Sequence, residues 1–347
     1  MTAIARRTRV VEASALSGEG AETGFDALLA SPEPAIVRGL AEAWPLVRLG
    51  KESPGAAIDY LATFAGPSQV VGYTGAPSID GRFFYNATLD GFNFARERTG
   101  LADYLERIRT HLDDPEAPSL YLGSTDIVAY LPGFGNDNPM PFTSATLRAH
   151  EPMASIWVGN RTIASAHWDM SNNIAVCAAG RRRFTLFPPN QAANLYPGPI
   201  EPTPGGQIVS MVDFDAPDLD RHPGFRDAVA AAQVAELGPG DVLIYPALWW
   251  HQVEALDPFN VLVNYWWNDA QPFMDNPMTT LLHAMLSLRN RPLAEKQGWK
   301  ALFDYYVFGP AELARAHLPP HAQGPLGEPD DREARRLRAQ ILQRISR

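Results

Sequence analysis

The chain has 347 residues, 46% of them hydrophobic, with a net charge of −10 and a pI of about 5.3. That length and apolar fraction support a large core and one main domain with flanks, whereas the acidic balance argues against broad nucleic-acid binding, which needs a basic face. The single cysteine, Cys177, excludes an internal disulfide and a Cys-rich zinc site, and no apolar run approaches the ~18 residues of a membrane span.

The opening MTAIARRTRVVEASAL has early arginines but no apolar h-region, so a secretory signal is not expected and the cytoplasm is the expected compartment. Residues 1 to 24 read as a poorly ordered lead-in. A short helix is expected over Phe25 to Leu29, a Pro-bounded strand over Ala35 to Arg38, and a helix over Ile58 to Phe64. Strands follow at Gln69 to Tyr73 and Arg82 to Tyr85, then an amphipathic helix at Leu101 to Leu112.

From Ser119 the pattern changes to short strands with Gly and Pro turns: SLYLGS, SIWVG, NNIAVCAA, RRFTLFPP, DVLIYP, HQVEAL and NVLVNYWW. Many short strands of this kind indicate a mainly β barrel or double-sheet jelly roll, the architecture of cupins. Pro202 to Leu237 is a long insertion with a short helix, Arg226 to Gln233, placed to wall an active site. After Gln271 the signal is helical, beginning with Asn276 as cap and Pro277 as first residue and ending in DREARRLRAQILQRI, where Leu337, Ile341 and Ile345 line one face with Leu342 beside them. The expected division is a mixed α/β flank over 1–115, a catalytic core over 116–275 and a helical region over 276–347.

Within the core, His167-Trp168-Asp169 puts an imidazole and a carboxylate two apart, hence on one side of an extended strand. With 8 His and 39 acidic residues in the chain, roughly one such spacing is expected by chance, so the surroundings must carry the argument. His251 follows a buried-strand pattern and supplies a third ligand. Two imidazoles and one carboxylate with open positions suit non-haem Fe(II). On the same parity as His167 and Asp169 lies Asn173. After the Gly180 turn, Arg182 is in register with Phe184 and Leu186, so it points inward and needs an anionic partner. That partner is either a structural Asp or Glu or a dicarboxylate cosubstrate held in the guanidinium fork.

Several ordered blocks, AHWD with Asn173, GRRRFTLFPPNQAANLYP, DFDAPDLDRHPGF, GPGDVLIYPALWWHQVE and VNYWW, resemble the cupin-like JmjC-type 2-oxoglutarate oxygenases, and within them the asparaginyl hydroxylase that inhibits hypoxia-inducible factor. The resemblance runs from about Glu33 to Pro272. It implies a double-stranded β-helix with flanking helices and a C-terminal helical unit, and an oxygenase using Fe(II), 2-oxoglutarate and O2. It also implies that His167, Asp169 and His251 bind iron, that Tyr121 and Arg182 hold the far carboxylate of 2-oxoglutarate, that Asn173 and Asn264 flank cosubstrate and iron, and that Trp266 is an aromatic wall.

Two positions depart from that hydroxylase. Arg182 stands where it has a lysine, and Ala164 where it has a cosubstrate-binding threonine, a hydroxyl that Thr162 or Ser165 would have to replace. Apart from the resemblance, Trp249, Trp250, Trp266 and Trp267 all read as core residues. Two other readings stay open from sequence: a non-oxidative metal-dependent cupin using zinc or manganese as a Lewis acid, and a silent cupin-like binding protein. The substrate, peptide or small molecule, is not specified. Because related hydroxylases dimerise through C-terminal helices, a homodimer is expected, with packing of those helices on their own barrel as the alternative.

Overall fold

Among the described residues, short runs rich in Val, Ile and aromatics, separated by turn residues, form fourteen strands. In chain order these are β1 (Arg9–Glu12), β2 (Ala35–Arg38), β3 (Val70–Gly75), β4 (Arg82–Phe83), β5 (Phe94–Thr99), β6 (Ser119–Asp126) and β7 (Met153–Gly159). They continue with β8 (Ile163–Trp168), β9 (Asn172–Ala179), β10 (Arg182–Phe187), β11 (Gln233–Leu237), β12 (Val242–Tyr245), β13 (Trp250–Ala255) and β14 (Asn260–Trp267). The structure is a computed structural model that describes residue 4 and residues 6–18, 20–328 and 330–346.

The larger sheet has the order β1-β2-β12-β9-β14-β7-β6-β3-β5 and the smaller the order β11-β10-β13-β8-β4. From β7 onward the chain passes back and forth between the sheets, so β7, β9, β12 and β14 form one wall and β8, β10, β11 and β13 the other. This is the double-stranded β-helix of a cupin jelly roll. Side chains from both walls meet between them: Ala175, Cys177, Leu243 and Leu262 from the larger sheet against Phe184, Leu186, Leu237 and Val253 from the smaller. Burial pushes the Cys177 thiol up to about 12, so it packs as a small apolar residue.

Gly180 makes the tight turn from β9 to β10. Its φ is +68°, and a Cβ there would lie 2.5 Å from the Phe259 carbonyl oxygen, so both conformation and space require glycine. Behind the larger sheet, helices at Ala21–Leu29, Pro45–Glu52, Pro54–Ala62 and Leu101–Thr110 cover its outer face and form the largest core cluster with Ile156, Val176, Val242 and Val263.

Two expectations from sequence are corrected here. Within the expected lead-in of residues 1 to 24, of which 1–3, 5 and 19 lie outside the described residues, Arg9–Glu12 pairs in parallel with β2 and an α-helix begins at Ala21. A four-residue strand of this kind is stabilised by the edge it joins, not by its own pattern. The insertion ends before Leu237, because Gln233–Leu237 is an edge strand antiparallel to β10, and its helix is Phe225–Ala231.

The chain divides into two compact units, residues 1–268 and 269–347. The N-terminal flank therefore folds as one unit with the barrel. In the second unit Asn276 caps the helix Pro277–Leu288, its side chain accepting from the Met278 N–H at 2.8 Å, with Pro277 in the first turn. Asp330 caps Asp331–Ile345 in the same way. Among the described residues of this unit only Ala314 is buried, while Leu286, Phe308 and Leu342 are well exposed. No helix among the described residues is long and apolar enough to cross a membrane.

Candidate metal centre

The antiparallel ladder between β8 and β13 sets His167 directly opposite His251. Their ring centroids are 4.3 Å apart. Asp169 lies one residue beyond the end of β8, in the 169–171 turn that carries the chain across to the other sheet. Its backbone carbonyl accepts from the Leu248 N–H at 2.8 Å, which fixes the turn. One ligand-capable atom from each of the three side chains lies within 4.8 Å of the others. His251 Nε2 is 3.6 Å from Asp169 Oδ2.

Both imidazoles are oriented by backbone. His167 Nδ1 donates to the Ser165 carbonyl and His251 Nδ1 to the Trp249 carbonyl, each at 2.9 Å. A carbonyl can only accept, so the proton sits on Nδ1 and each Nε2 lone pair is left for a metal. Burial, helped by the neighbouring His167, lowers His251 to about 4, which keeps it neutral and able to ligate at neutral pH.

Asn173 and Asn264 stand behind the carboxylate. Asn173 Nδ2 donates to Asp169 Oδ2 at 3.3 Å, and Asn264 Nδ2 donates to Asn173 Oδ1. The strand-parity reasoning for Asn173 is corrected by the structure, because β8 ends at Trp168 and Asn173 belongs to β9 in the opposite sheet. It still lines the same cavity, since the 169–171 turn folds β9 over the ligands of β8.

That cavity, of about 300 Å³, is lined by all eight residues singled out from sequence: Tyr121, His167, Asp169, Asn173, Arg182, His251, Asn264 and Trp266. Arg182 opens β10 with its side chain on the Phe184 side, and it is 2% exposed. Arg183, the next residue, faces the other way and pairs with Glu236 and Glu254. Among the described residues no carboxylate reaches Arg182, and its Nε and Nη2 have no hydrogen-bond partner. Burial lowers its pKa, and the largest opposing influence is Tyr121. Burial likewise raises the Tyr121 hydroxyl far above its ordinary range, with Arg182 pulling it back.

A buried guanidinium with two unpaired nitrogens costs several kcal/mol unless an anion joins it. The donor set therefore fits a carboxylate-bearing ligand beside a divalent metal. Further donors and acceptors at this end of the barrel lack partners as well: Asn264 Oδ1, Trp266 Nε1 and Trp157 Nε1.

Ala164 lines the cavity together with His167, although they are three residues apart, because the β8–β13 register shifts between His251 and Val253. Such a bulge re-aims side chains next to a site. Neither replacement hydroxyl reaches this cavity: Thr162 is buried away from it, and Ser165 Oγ accepts from Arg82 Nε at 3.4 Å. Trp157, Met153 and Ser124 line the cavity without having been singled out from sequence. On β7 the period-two spacing of Met153 and Trp157 is the signal that marks them, whereas Ser124, three residues after Tyr121 and next to the register shift in β6, carries no such signal. Gly205 and Gln207 of the insertion also line it, and Arg82 anchors the insertion through Asp213 at 3.0 Å and the Val212 carbonyl at 3.2 Å. Trp249, Trp250 and Trp267 are core residues, as read from sequence, whereas Trp266 is half-buried and lines the cavity instead.

The family model for the cupin-like domain matches residues 21–272. The chain belongs to the cupin-like domain family. Among its relatives is HSPB1-associated protein 1 of Bos taurus, 33% identical over 144 residues, which are 40% of this chain and 29% of that protein. The tRNA wybutosine-synthesizing protein 5 of Mus musculus is 28% identical over 271 residues, 73% of this chain and 76% of that protein. Lysine-specific demethylase JMJ31 of Arabidopsis thaliana is 33% identical over 104 residues, 30% of this chain and 18% of that protein. The match thus spans less than a third of the HSPB1-associated relative. Together these cupin-like relatives support the JmjC-type class.

Proposed function

We propose that this chain is an Fe(II)- and 2-oxoglutarate-dependent oxygenase that hydroxylates its substrate. The observation that carries the proposal is Arg182, a buried cation without a protein anion, in the same cavity as a His-Asp-His cluster. His167, Asp169 and His251 would hold the metal. Arg182 and the Tyr121 hydroxyl would bind the far carboxylate, with Asn173 and Asn264 beside the metal end. When bound, iron and 2-oxoglutarate supply the oxidising chemistry by which O2 hydroxylates a C–H bond.

The chain's own contribution is orientation and exclusion of water. Backbone carbonyls fix both imidazole tautomers, Asn173 holds the carboxylate, and Trp157 and Trp266, whose rings meet edge to face at 5.9 Å, screen the cavity wall. The arginine in place of lysine and Ala164 in place of threonine speak against carrying over a peptide asparagine as substrate, so the proposal stops at hydroxylation of a peptide or small molecule. The net charge of −10 opposes a polyanionic substrate. A reducing cytoplasmic setting agrees with the lone buried thiol. The test is anaerobic reconstitution with Fe(II) and 2-oxoglutarate, then measurement of succinate after O2 is admitted, with and without candidate substrates.

We also propose that residues 269–347 join two copies of the chain. Among the described residues, fifteen of the twenty-one exposed large apolar side chains lie between Met274 and Ile345 and only Ala314 of this unit is buried, so the helices have little core of their own to stabilise them.

A further inference from the structure

Beside the metal cavity lies a second, smaller chamber of about 100 Å³ that shares His167, Tyr121 and Trp157 with it. One wall comes from successive strands at one edge of the larger sheet, in the order β7-β6-β3-β5, and the opposite side from β4 and β8 of the smaller sheet and from the insertion. Tyr73 of β3 sits directly opposite Tyr121 of β6, and Trp157 lies two residues before Gly159, the cross-strand partner of Tyr121. Aromatic rings therefore stand side by side on one face. Tyr121 stacks on Trp157 at 5.8 Å, Phe83 lies 5.6 Å from Tyr121, and Phe94 meets Phe83 at 5.2 Å and Tyr73 at 5.5 Å. Gly123 completes the wall, where a Cβ would press on the rings of Tyr73 and Trp157 at 3.2 and 3.4 Å.

These rings are not a sealed core. Tyr73, Phe94, Tyr121 and Trp157 are each only partly buried. Nor is the chamber built for a charge, because no Asp, Glu, Lys or Arg lines it. The charges around it are balanced outside its walls: Arg82 lies over Phe84 at 4.1 Å with its Nε directed to the lining Ser165 and is ion-paired with Asp213 at 3.0 Å, while Arg182 and Asp169, of opposite sign, both belong to the adjoining metal cavity. An aromatic box can attract a cation through its ring faces, but here no carboxylate lines the chamber to complement one.

We infer that this chamber receives an uncharged apolar or aromatic group of the substrate and so presents the adjoining part of the substrate to the metal. The inference rests on the oxygenase reading for the identity of the metal cavity, but it concerns which chemical class of group is held beside it. It makes the wall of Tyr73, Phe83 and Phe94 a specificity determinant contributed by the N-terminal strands and not by the barrel itself.

The test is 19F NMR on the full chain loaded with Mn(II), using 4-fluorobenzamide as the uncharged probe and 4-fluorobenzylammonium as the cationic one. The expected result is that the benzamide binds at least about tenfold tighter than the ammonium probe, and that Mn(II) broadens its bound resonance because His167 borders both spaces. Phe94→Glu, on the edge strand β5, should weaken the benzamide and strengthen the ammonium probe, with an unchanged melting temperature showing that it is folded. Gly205→Trp is the second variant. Gly205 borders the chamber with nothing within 4 Å of its ideal Cβ, so a large side chain there should weaken the benzamide without unfolding. Equal or tighter binding of the ammonium probe to the unmodified chain, or benzamide binding that neither Mn(II) nor either folded variant affects, would overturn the inference. Because binding is read without iron, O2 or turnover, a failed succinate assay with intact probe binding would count against the oxygenase reading alone.

Discussion

His167 and His251 face each other as a directly opposed pair on β8 and β13, and both are turned by backbone carbonyls so that Nε2 is free. Two imidazoles at this spacing gain nothing from each other. The arrangement is stabilised when a cation joins them with Asp169. The expected outcomes below follow from that geometry and from the unpaired Arg182 beside it.

Asn173 controls metal affinity through Asp169. Asn173→Ala removes the donor 3.3 Å from Oδ2 and strands the Asn264 amide. Loss of such a supporting partner costs about 10–100-fold in metal affinity. Competition titration with Mn(II) should show that loss with one site per chain retained, and an unchanged affinity would show that the asparagine pair is packing only.

Arg182→Met should separate cosubstrate binding from stability. Removing a buried, unpaired cation removes a desolvation cost, so without 2-oxoglutarate the variant should melt at or above the temperature of the unmodified chain. The stabilisation given by 2-oxoglutarate should vanish, because a charge-assisted contact of about 1.5–3 kcal/mol is gone. Metal binding should persist. A variant that loses several degrees in the absence of ligand would identify Arg182 as structural.

The metal-free protein should lose stability as pH falls from about 6.5. The folded pKa of His251 is depressed to about 4 from an ordinary 6.5, so the unfolded chain takes up the proton first and folding weakens across that interval. The effect is at most about 3 kcal/mol, reached near pH 4. Urea midpoints at pH 7, 5.5 and 4.5 should fall more steeply for the unmodified chain than for His251→Gln. Parallel slopes would place the pH sensitivity elsewhere.

If residues 269–347 join two copies, the paired change Leu337→Asp and Ile341→Asp should halve the mass seen by light scattering and leave metal binding intact. Both side chains are exposed on one face of Asp331–Ile345. A chain that is already monomeric across micromolar concentrations would remove the proposal.

Where the sequence pattern was self-sufficient, it gave element bounds directly. Ala35–Arg38, Asn260–Trp267 and Asp331–Ile345 fall where the apolar pattern and caps put them. Arg182 was readable as buried from its register with Phe184, and its missing carboxylate then became informative. What was not legible depended on partners far away in sequence. Period-two reasoning ran from His167 through Asp169 to Asn173 as though on one strand, but the chain turns at 169–171 and changes sheet. The register shift opposite Gln252 put Ala164 and His167 in one cavity. The strands Arg9–Glu12 and Gln233–Leu237 exist because an edge was available to them, and the aromatic wall exists because β3, β5, β6 and β7 became neighbours. Local pattern holds none of that.

The most direct test is equilibrium binding of 2-oxoglutarate under anaerobic conditions, measured calorimetrically with and without Fe(II), on the unmodified chain and on Arg182→Met. The account predicts one 2-oxoglutarate per Fe(II), binding that is much weaker without the metal, and loss of that binding in Arg182→Met while the variant still takes up Fe(II). Binding that is indifferent to Fe(II), or that survives intact in a folded Arg182→Met, would contradict it.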